Sequence, residues 1–219
     1  MKMIEIKSYP ITHIIVKDFL DSSSKKKLLK SLLPIRDNYL VRLPSPARNS
    51  KPKEDEWDRL EKHRKGIMLH DILKENPTLN KDCIAILESN MGRDDLRRAC
   101  RDSNDLLFLT HELSCAKGAM LFAQYEKDGH MIWHSDHGPV CSASYIFNFD
   151  GQNCAGGSFL LSGFSGKNIE ENAVTYPFQD NFLILFPAKA FHKVSKVSGY
   201  RNSIQYFAGY EGWKVSDES

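Results

Sequence analysis

The sequence predicts a mixed α+β chain, with helices in the N-terminal half supporting a β-rich C-terminal half of jelly-roll type. Three observations carry this expectation. Before about residue 117, apolar residues recur at helical spacing, as in Leu28, Leu29, Leu32 and Leu33. After Gly118 the chain turns to short runs rich in aromatic and β-branched residues, punctuated by Asp128-Gly129, Asp150-Gly151 and Ser198-Gly199. At 219 residues and 41% hydrophobic content the chain is long enough for one well-buried core. A single domain over 1–219 is therefore expected, with 1–117 as strand, helices and lid loop and 118–210 as the core.

In order, Ile11, Ile14, Ile15 and Val16 read as a first strand. Asp21 and serines 22 to 24 are good N-caps for the helix that follows, and Pro34 is expected to stop it. Lys25, Lys26 and Lys27 fit its solvated face. From 40 to 65 the prolines 44, 46 and 52 and mixed charges mark a long polar loop, either a lid or simply mobile. Helical arrays return at Ile67–Leu73, Ile84–Leu87, Leu96–Cys100 and Leu106–Leu113, with Asn80 or Asp94 as starts. Strands are expected at Ala119–Tyr125, Ser142–Phe149, Gly157–Leu161, Asn181–Phe186, His192–Val194 and Asn202–Tyr210. Short strands at this spacing suit a double-sheet jelly roll, whose cavity can hold a metal.

Composition excludes several classes. Thirty Lys and Arg against 28 Asp and Glu give a formal charge of +2, too small for the electrostatic footprint of a nucleic-acid binder. Apolar runs such as Phe182–Phe186 fall far short of the roughly 20 residues that span a bilayer, and the charged N-terminus interrupts any secretory signal. Five cysteines, without a Cys-x-x-Cys, suit reduced thiols and a cytoplasmic protein.

Candidate chemistry gathers between Met131 and Tyr210. His134 and Asp136, at i and i+2 on a strand or its end, project to one face and can grip one ion together. The pair alone is weak, because this spacing arises readily by chance. His192 follows a buried apolar strand and a turn at Pro187, where a core histidine is the plainer reading. Arg201 and Ser203 share a strand face, and an arginine aimed into a barrel needs an anion. Two imidazoles and a carboxylate on a ferrous ion leave open positions for a chelating cosubstrate and O2.

This ordered set resembles the double-stranded β-helix core of the Fe(II)/2-oxoglutarate-dependent dioxygenases, and most closely their prolyl-4-hydroxylase-like branch. That pattern is His-x-Asp, a second His about fifty-odd residues on, then a basic residue about ten further. Here the two intervals are 56 residues, from Asp136 to His192, and nine, from His192 to Arg201. Tyr125 and Gly129, Tyr145-Ile146-Phe147-Asn148, Gly156-Gly157, Leu185-Phe186-Pro187 and Gly199-Tyr200-Arg201-Asn202-Ser203-Ile204 match around it. The resemblance implies His134, Asp136 and His192 as iron ligands. Arg201 would meet the C5 carboxylate of 2-oxoglutarate, with Ser203 and Tyr125 as hydrogen-bonding helpers. The implied cofactors are Fe(II), 2-oxoglutarate and O2, and the implied outcome is hydroxylation of a C–H bond with release of succinate and CO2. Retention of Asp136 separates the chain from related halogenases, which replace that carboxylate.

The expected substrate is a small molecule such as an amino acid or natural-product intermediate, because no peptide-binding module is attached. The alternatives are a protein or peptide hydroxylase of prolyl type and a non-catalytic, cupin-like metal-binding domain, against which Arg201 and Ser203 argue. No nucleic-acid or membrane partner is expected, and oligomeric state is not legible. Arg42 and Arg48 suit a lid that meets a carboxylate, although solvated loop arginines explain them too. His137 could support the metal pair or sit on the surface, while His130 and His111 lack a partner spacing. Trp133, Tyr145 and Phe147 could wall a pocket, although strand aromatics more often belong to a core, and Cys141 and Cys154 read as buried thiols.

Overall fold

The computed structural model describes residues 3–42, 64–69, 71–72, 77–103, 118–136, 141–163 and 168–208. Most of the expected 40–65 loop with Arg48, the Leu106–Leu113 array, His111, His137 and Tyr210 lie outside the described residues, as do the side chains of Arg42 and Cys141.

The chain begins with a hairpin, β1 (Met3–Lys7) against β2 (His13–Lys17). β1 was not anticipated, although Met3-Ile4-Glu5-Ile6-Lys7 alternates as an edge strand should. Helix α1 (Ser22–Asn38) starts as its capping residues imply, with the Asp21 carboxylate accepting from the Ser24 backbone N–H at 2.9 Å.

Pro34 does not stop α1. The helix runs one further turn because Ile35 continues the buried face of Leu28, Leu29 and Leu32 and is itself wholly buried. That burial contributes about 1.5–3 kcal/mol, comparable with the roughly 3 kcal/mol a mid-helix proline costs. Bonds from Asn38 Nδ2 to the Pro34 carbonyl (2.8 Å) and from Tyr39 N to the Ile35 carbonyl (2.9 Å) close the last turn.

Two more helices follow. Helix α2 (Pro77–Met91) starts on a proline, where the missing N–H costs nothing, rather than at Asn80; α3 (Asp94–Asp102) starts at Asp94 as expected. The Ile67–Leu73 array begins not as helix but as strand: β4 (Lys65–Met68) pairs with β3 (Val41–Arg42) on one side and β5 (Gly118–Tyr125) on the other. Four residues are too few for apolar spacing to distinguish the two periods, and the free edge of β5 decides.

The remaining strands are β6 (Met131–His134), β7 (Cys141–Phe147), β8 (Cys154–Gly156), β9 (Phe159–Leu161), β10 (Val174–Tyr176), β11 (Phe182–Pro187), β12 (His192–Val194), β13 (Val197–Gly199) and β14 (Arg201–Ala208). Among the described residues they form an eight-stranded sheet, β1-β2-β11-β7-β14-β5-β4-β3, facing a four-stranded sheet, β10-β9-β12-β6, with a small β13-β8 pair. Every pairing is antiparallel. This is the β-rich, jelly-roll character expected from the sequence.

Strand alternation gives the large sheet two apolar faces. One carries Phe122, Tyr145, Phe147, Leu183 and Ile204 and shares a core with the three helices. The other carries Ala123, Tyr125, Ile146, Ile184 and Phe186 and packs against Met131, Phe159, Leu161 and Val194 of the small sheet. β11 is consequently buried at every residue, which is why it reads as an unbroken apolar run. Asn181 fastens the helical and sheet layers together: its side-chain amide bonds both the N–H and the carbonyl of Leu20, at 3.0 and 2.8 Å, and its oxygen also accepts from the Tyr145 hydroxyl.

Candidate metal and cosubstrate centre

The antiparallel pairing of β6 and β12 sets His134 directly opposite His192. Their ring centroids are 4.1 Å apart and inclined at 53°. Asp136 lies two residues beyond His134, its backbone N–H donating to the Ala188 carbonyl at 2.9 Å. Each imidazole has its Nδ1 on a backbone carbonyl, His134 on Ile132 at 2.9 Å and His192 on Ala190 at 3.0 Å. A carbonyl can only accept, so Nδ1 carries the proton in both rings and both Nε2 lone pairs are available.

The Nε2 atoms stand 3.9 Å (His134) and 3.7 Å (His192) from the two Asp136 oxygens, and one donor atom from each residue falls within 4.8 Å of the others. These distances exceed hydrogen bonds and suit three donors that share an ion. Ser142 Oγ donates to Asp136 Oδ2 and holds the carboxylate in orientation. Burial first, and then the neighbouring His192, pushes the His134 pKa down to about 3, against the pull of Asp136. The ring is thereby kept in the neutral form that binds a metal.

Beside the triad is a cavity of about 310 Å3. Tyr125, Met131, Phe159 and Phe186 give it apolar walls, and Ser142, Ser144 and Gln205 a polar stripe. Gln205 and Ser144 are cross-strand partners, and Gln205 Oε1 and Ser144 Oγ are both buried without a hydrogen-bond partner. Gln205 Nε2 donates to Ser203 Oγ at 2.9 Å, which links the stripe to the next residue pair along β14.

Arg201 is wholly buried. Its Nη1 donates weakly to Ser203 Oγ at 3.3 Å and its guanidinium lies 5.2 Å from the Tyr125 ring centroid, while Nε and Nη2 have no partner. Burial pushes its pKa down, opposed by Tyr125 and Cys154. Gly157 makes room for it: at φ +63°, a Cβ there would sit 3.0 Å from Arg201 Cδ. The cavity lining includes Tyr125 but neither Arg201 nor Ser203, so Tyr125 stands between the guanidinium and the cavity. An orphaned, buried, bidentate donor set is a fitting seat for a carboxylate.

The structure thus brings together His134, Asp136 and His192, and groups Tyr125, Arg201 and Ser203 beside them. Sequence reasoning missed Ser142, Ser144 and Gln205. Their signal is the small polar residue at every second position of Ser142-Ala143-Ser144 and Ser203-Ile204-Gln205 in otherwise apolar strands. Tyr145 and Phe147 face the helices as core. Trp133 points away from the cavity, its Nε1 donating to Glu170 at 2.6 Å and its ring beneath Lys193 Nζ at 4.9 Å. His130 bonds the Asp128 carbonyl at 3.1 Å.

No family model and no curated protein matches the chain. Solved structures do. A prolyl hydroxylase from Trichoplax adhaerens, in complex with a hypoxia inducible factor oxygen degradation domain peptide fragment, superposes with a TM-score of 0.61 at 19% identity, over 94% of this chain and 87% of that one. The fold is that of the prolyl hydroxylases. A Pseudomonas putida prolyl-4-hydroxylase gives 0.60 at 16% identity, over 91% of this chain and 93% of that one. The prolyl hydroxylase fold and the His-Asp-His cluster agree with the resemblance read from the motifs. They overturn the expectation of a small-molecule substrate. That expectation rested on the absence of an attached peptide-binding module, yet the Trichoplax structure holds its peptide on a chain that this one nearly spans.

Proposed function

We propose that this chain is an Fe(II)- and 2-oxoglutarate-dependent hydroxylase that acts on a residue of a peptide or protein, with a prolyl residue as the leading candidate. The observation that carries the reading is the conjunction of three convergent ligand atoms at a cavity and, behind its Tyr125 wall, a buried arginine that lacks an anion. His134, Asp136 and His192 would hold the iron, and Arg201 the remote carboxylate of 2-oxoglutarate, helped by Ser203 and Tyr125. Bound together, the ion and cosubstrate supply the activation of O2 that the side chains cannot.

The chain's own residues do the rest. The Ile132 and Ala190 carbonyls fix both imidazole tautomers, and Ser142 fixes Asp136. Met131, Phe159 and Phe186 keep water from the reacting centre. Ser144 and Gln205 offer hydrogen bonds along the cavity wall that orient what enters it. Free thiols at Cys83, Cys100 and Cys154 support a cytoplasmic setting.

The peptide reading draws on the two structural neighbours, both prolyl hydroxylases and one in complex with a peptide fragment. Anaerobic addition of Fe(II) and then 2-oxoglutarate should raise the weak visible charge-transfer band of the chelate. Succinate release should then respond to members of a proline-containing peptide library. Folded protein without the band refutes the reading; a band without any peptide response refutes its substrate class.

A further inference from the structure

A cation, Arg64, immediately precedes β4 and lines the cavity wall with Met68, Leu121 and Tyr125. Among the described residues it makes no hydrogen bond or ion pair, and its Nε is buried without a partner. Among the described residues that line the cavity the one carboxylate is Asp136, which is engaged by Ser142 and lies between the two imidazoles. Arg64 is half-buried, and the planar fork of its guanidinium suits a carboxylate.

Counting carboxylates indicates whose it is. On the functional reading above, 2-oxoglutarate has two, one at the metal and one at Arg201. The Lys65–Gln124 register, continued by one residue, sets Arg64 level with Tyr125, which itself pairs with Arg201. Arg64 and Arg201 therefore flank Tyr125 from opposite sides, Arg201 from β14 in the sheet interior and Arg64 from β4 toward the sheet edge. The cosubstrate has no carboxylate left for Arg64, and the remaining molecule in the reaction is the substrate.

We propose that Arg64 is a specificity-determining residue that receives the carboxylate of an acidic side chain flanking the target residue in a peptide substrate. The inference rests on the functional reading above, and the test separates the two. Fluorescein-labelled nonapeptides with a central proline are prepared as matched pairs, Glu or Gln at each flanking position in turn. Their anisotropy is measured anaerobically on protein loaded with Fe(II) and 2-oxoglutarate. For at least one position the Glu peptide should bind the wild type about tenfold more tightly than its Gln twin. Arg64→Gln should bring the twins within about twofold of each other and Arg64→Lys should restore part of the preference. The charge-transfer band should report the same 2-oxoglutarate affinity in all three proteins. No Glu preference in the wild type, a preference that survives Arg64→Gln, or a lost 2-oxoglutarate affinity in that variant each overturns the assignment. Absence of the band in the wild type instead overturns the functional reading beneath it.

Discussion

Replacing Arg201 by methionine should make the cofactor-free protein more stable and the cosubstrate-loaded protein no better than the free one. In the free protein the guanidinium is wholly buried, with one 3.3 Å hydrogen bond and two nitrogens that bond nothing. Each unsatisfied donor costs about 1–3 kcal/mol, and the favourable contact with Tyr125 is worth about 1–2 kcal/mol. Methionine fills much of the same tunnel past Gly157 and carries no donors. The two donors together cost about 2–6 kcal/mol, so the net gain after the Tyr125 contact is about 0–5 kcal/mol, centred near the roughly 1–4 kcal/mol found when buried ion pairs give way to well-packed apolar residues. For a chain of this size, 1 kcal/mol moves Tm by about 2–4 °C, so a rise of several degrees is expected. Wild-type protein with Mn(II) and 2-oxoglutarate at a hundred times its Kd should gain about 2.7 kcal/mol from the ligand, and Arg201→Met should gain almost none at that concentration. Differential scanning fluorimetry with and without 2-oxoglutarate reads both. A variant that melts below the wild type when free, yet still shifts with 2-oxoglutarate, would refute the assignment of Arg201 as a seat waiting for an anion.

Three further outcomes are expected. Ser142→Ala removes the donor that orients Asp136 and should weaken Mn(II) binding by about 10–100-fold in calorimetry, with little change in melting of the free protein. Pro34→Ala restores a helical N–H inside α1 and should raise the unfolding free energy by about 1 kcal/mol or more after the proline's stiffening of the unfolded chain is subtracted, read as a higher urea midpoint. His13 is buried, donates from Nδ1 to the Ile11 carbonyl at 2.6 Å, and accepts at Nε2 from the Tyr176 hydroxyl. Burial lowers its pKa below the unfolded value of about 6.5, so its contribution to stability is complete above pH 6.5 and is lost as pH falls from there through the lower native value. His13→Gln should flatten the decline in stability between pH 6.5 and 5, measured by denaturant titration; an unchanged slope would contradict the neutral ring.

What the sequence disclosed followed physical scale. The triad was legible from the ordered motif set, His134 and Asp136 at i and i+2, His192 after a buried strand, and Arg201 with Ser203 at the same spacing, rather than from any one pair. Phe182–Pro187 declared its strand differently, as an unbroken apolar run buried on both faces. Of the short elements, β9 and β12 were expected from their apolar residues, but β4, β8, β10 and β13 were not: three or four residues are too few to show a period, and these strands pair with a neighbour's open edge. Pro34 misled because local propensity was weighed without the burial of Ile35, which depends on distant partners. Arg64 carried no signal at all. It stands at the end of a polar, basic stretch, and only the pairing of β4 with β5 brings it to the cavity.

The two-sided burial of the large sheet bears on how the protein can be cut. A fragment starting at Gly118 would keep the triad and Arg201 and so look like a minimal catalytic unit. It would also strip the cover from Phe122, Tyr145, Phe147, Leu183 and Ile204, leaving a wide oily plane open to water. Because the same cut removes residues 1–20, it would also uncover the β11 edge and leave the Asn181 side chain without both of its Leu20 bonds. Such a piece should self-associate through that plane rather than persist as a small enzyme, whatever the completeness of its metal-binding residues.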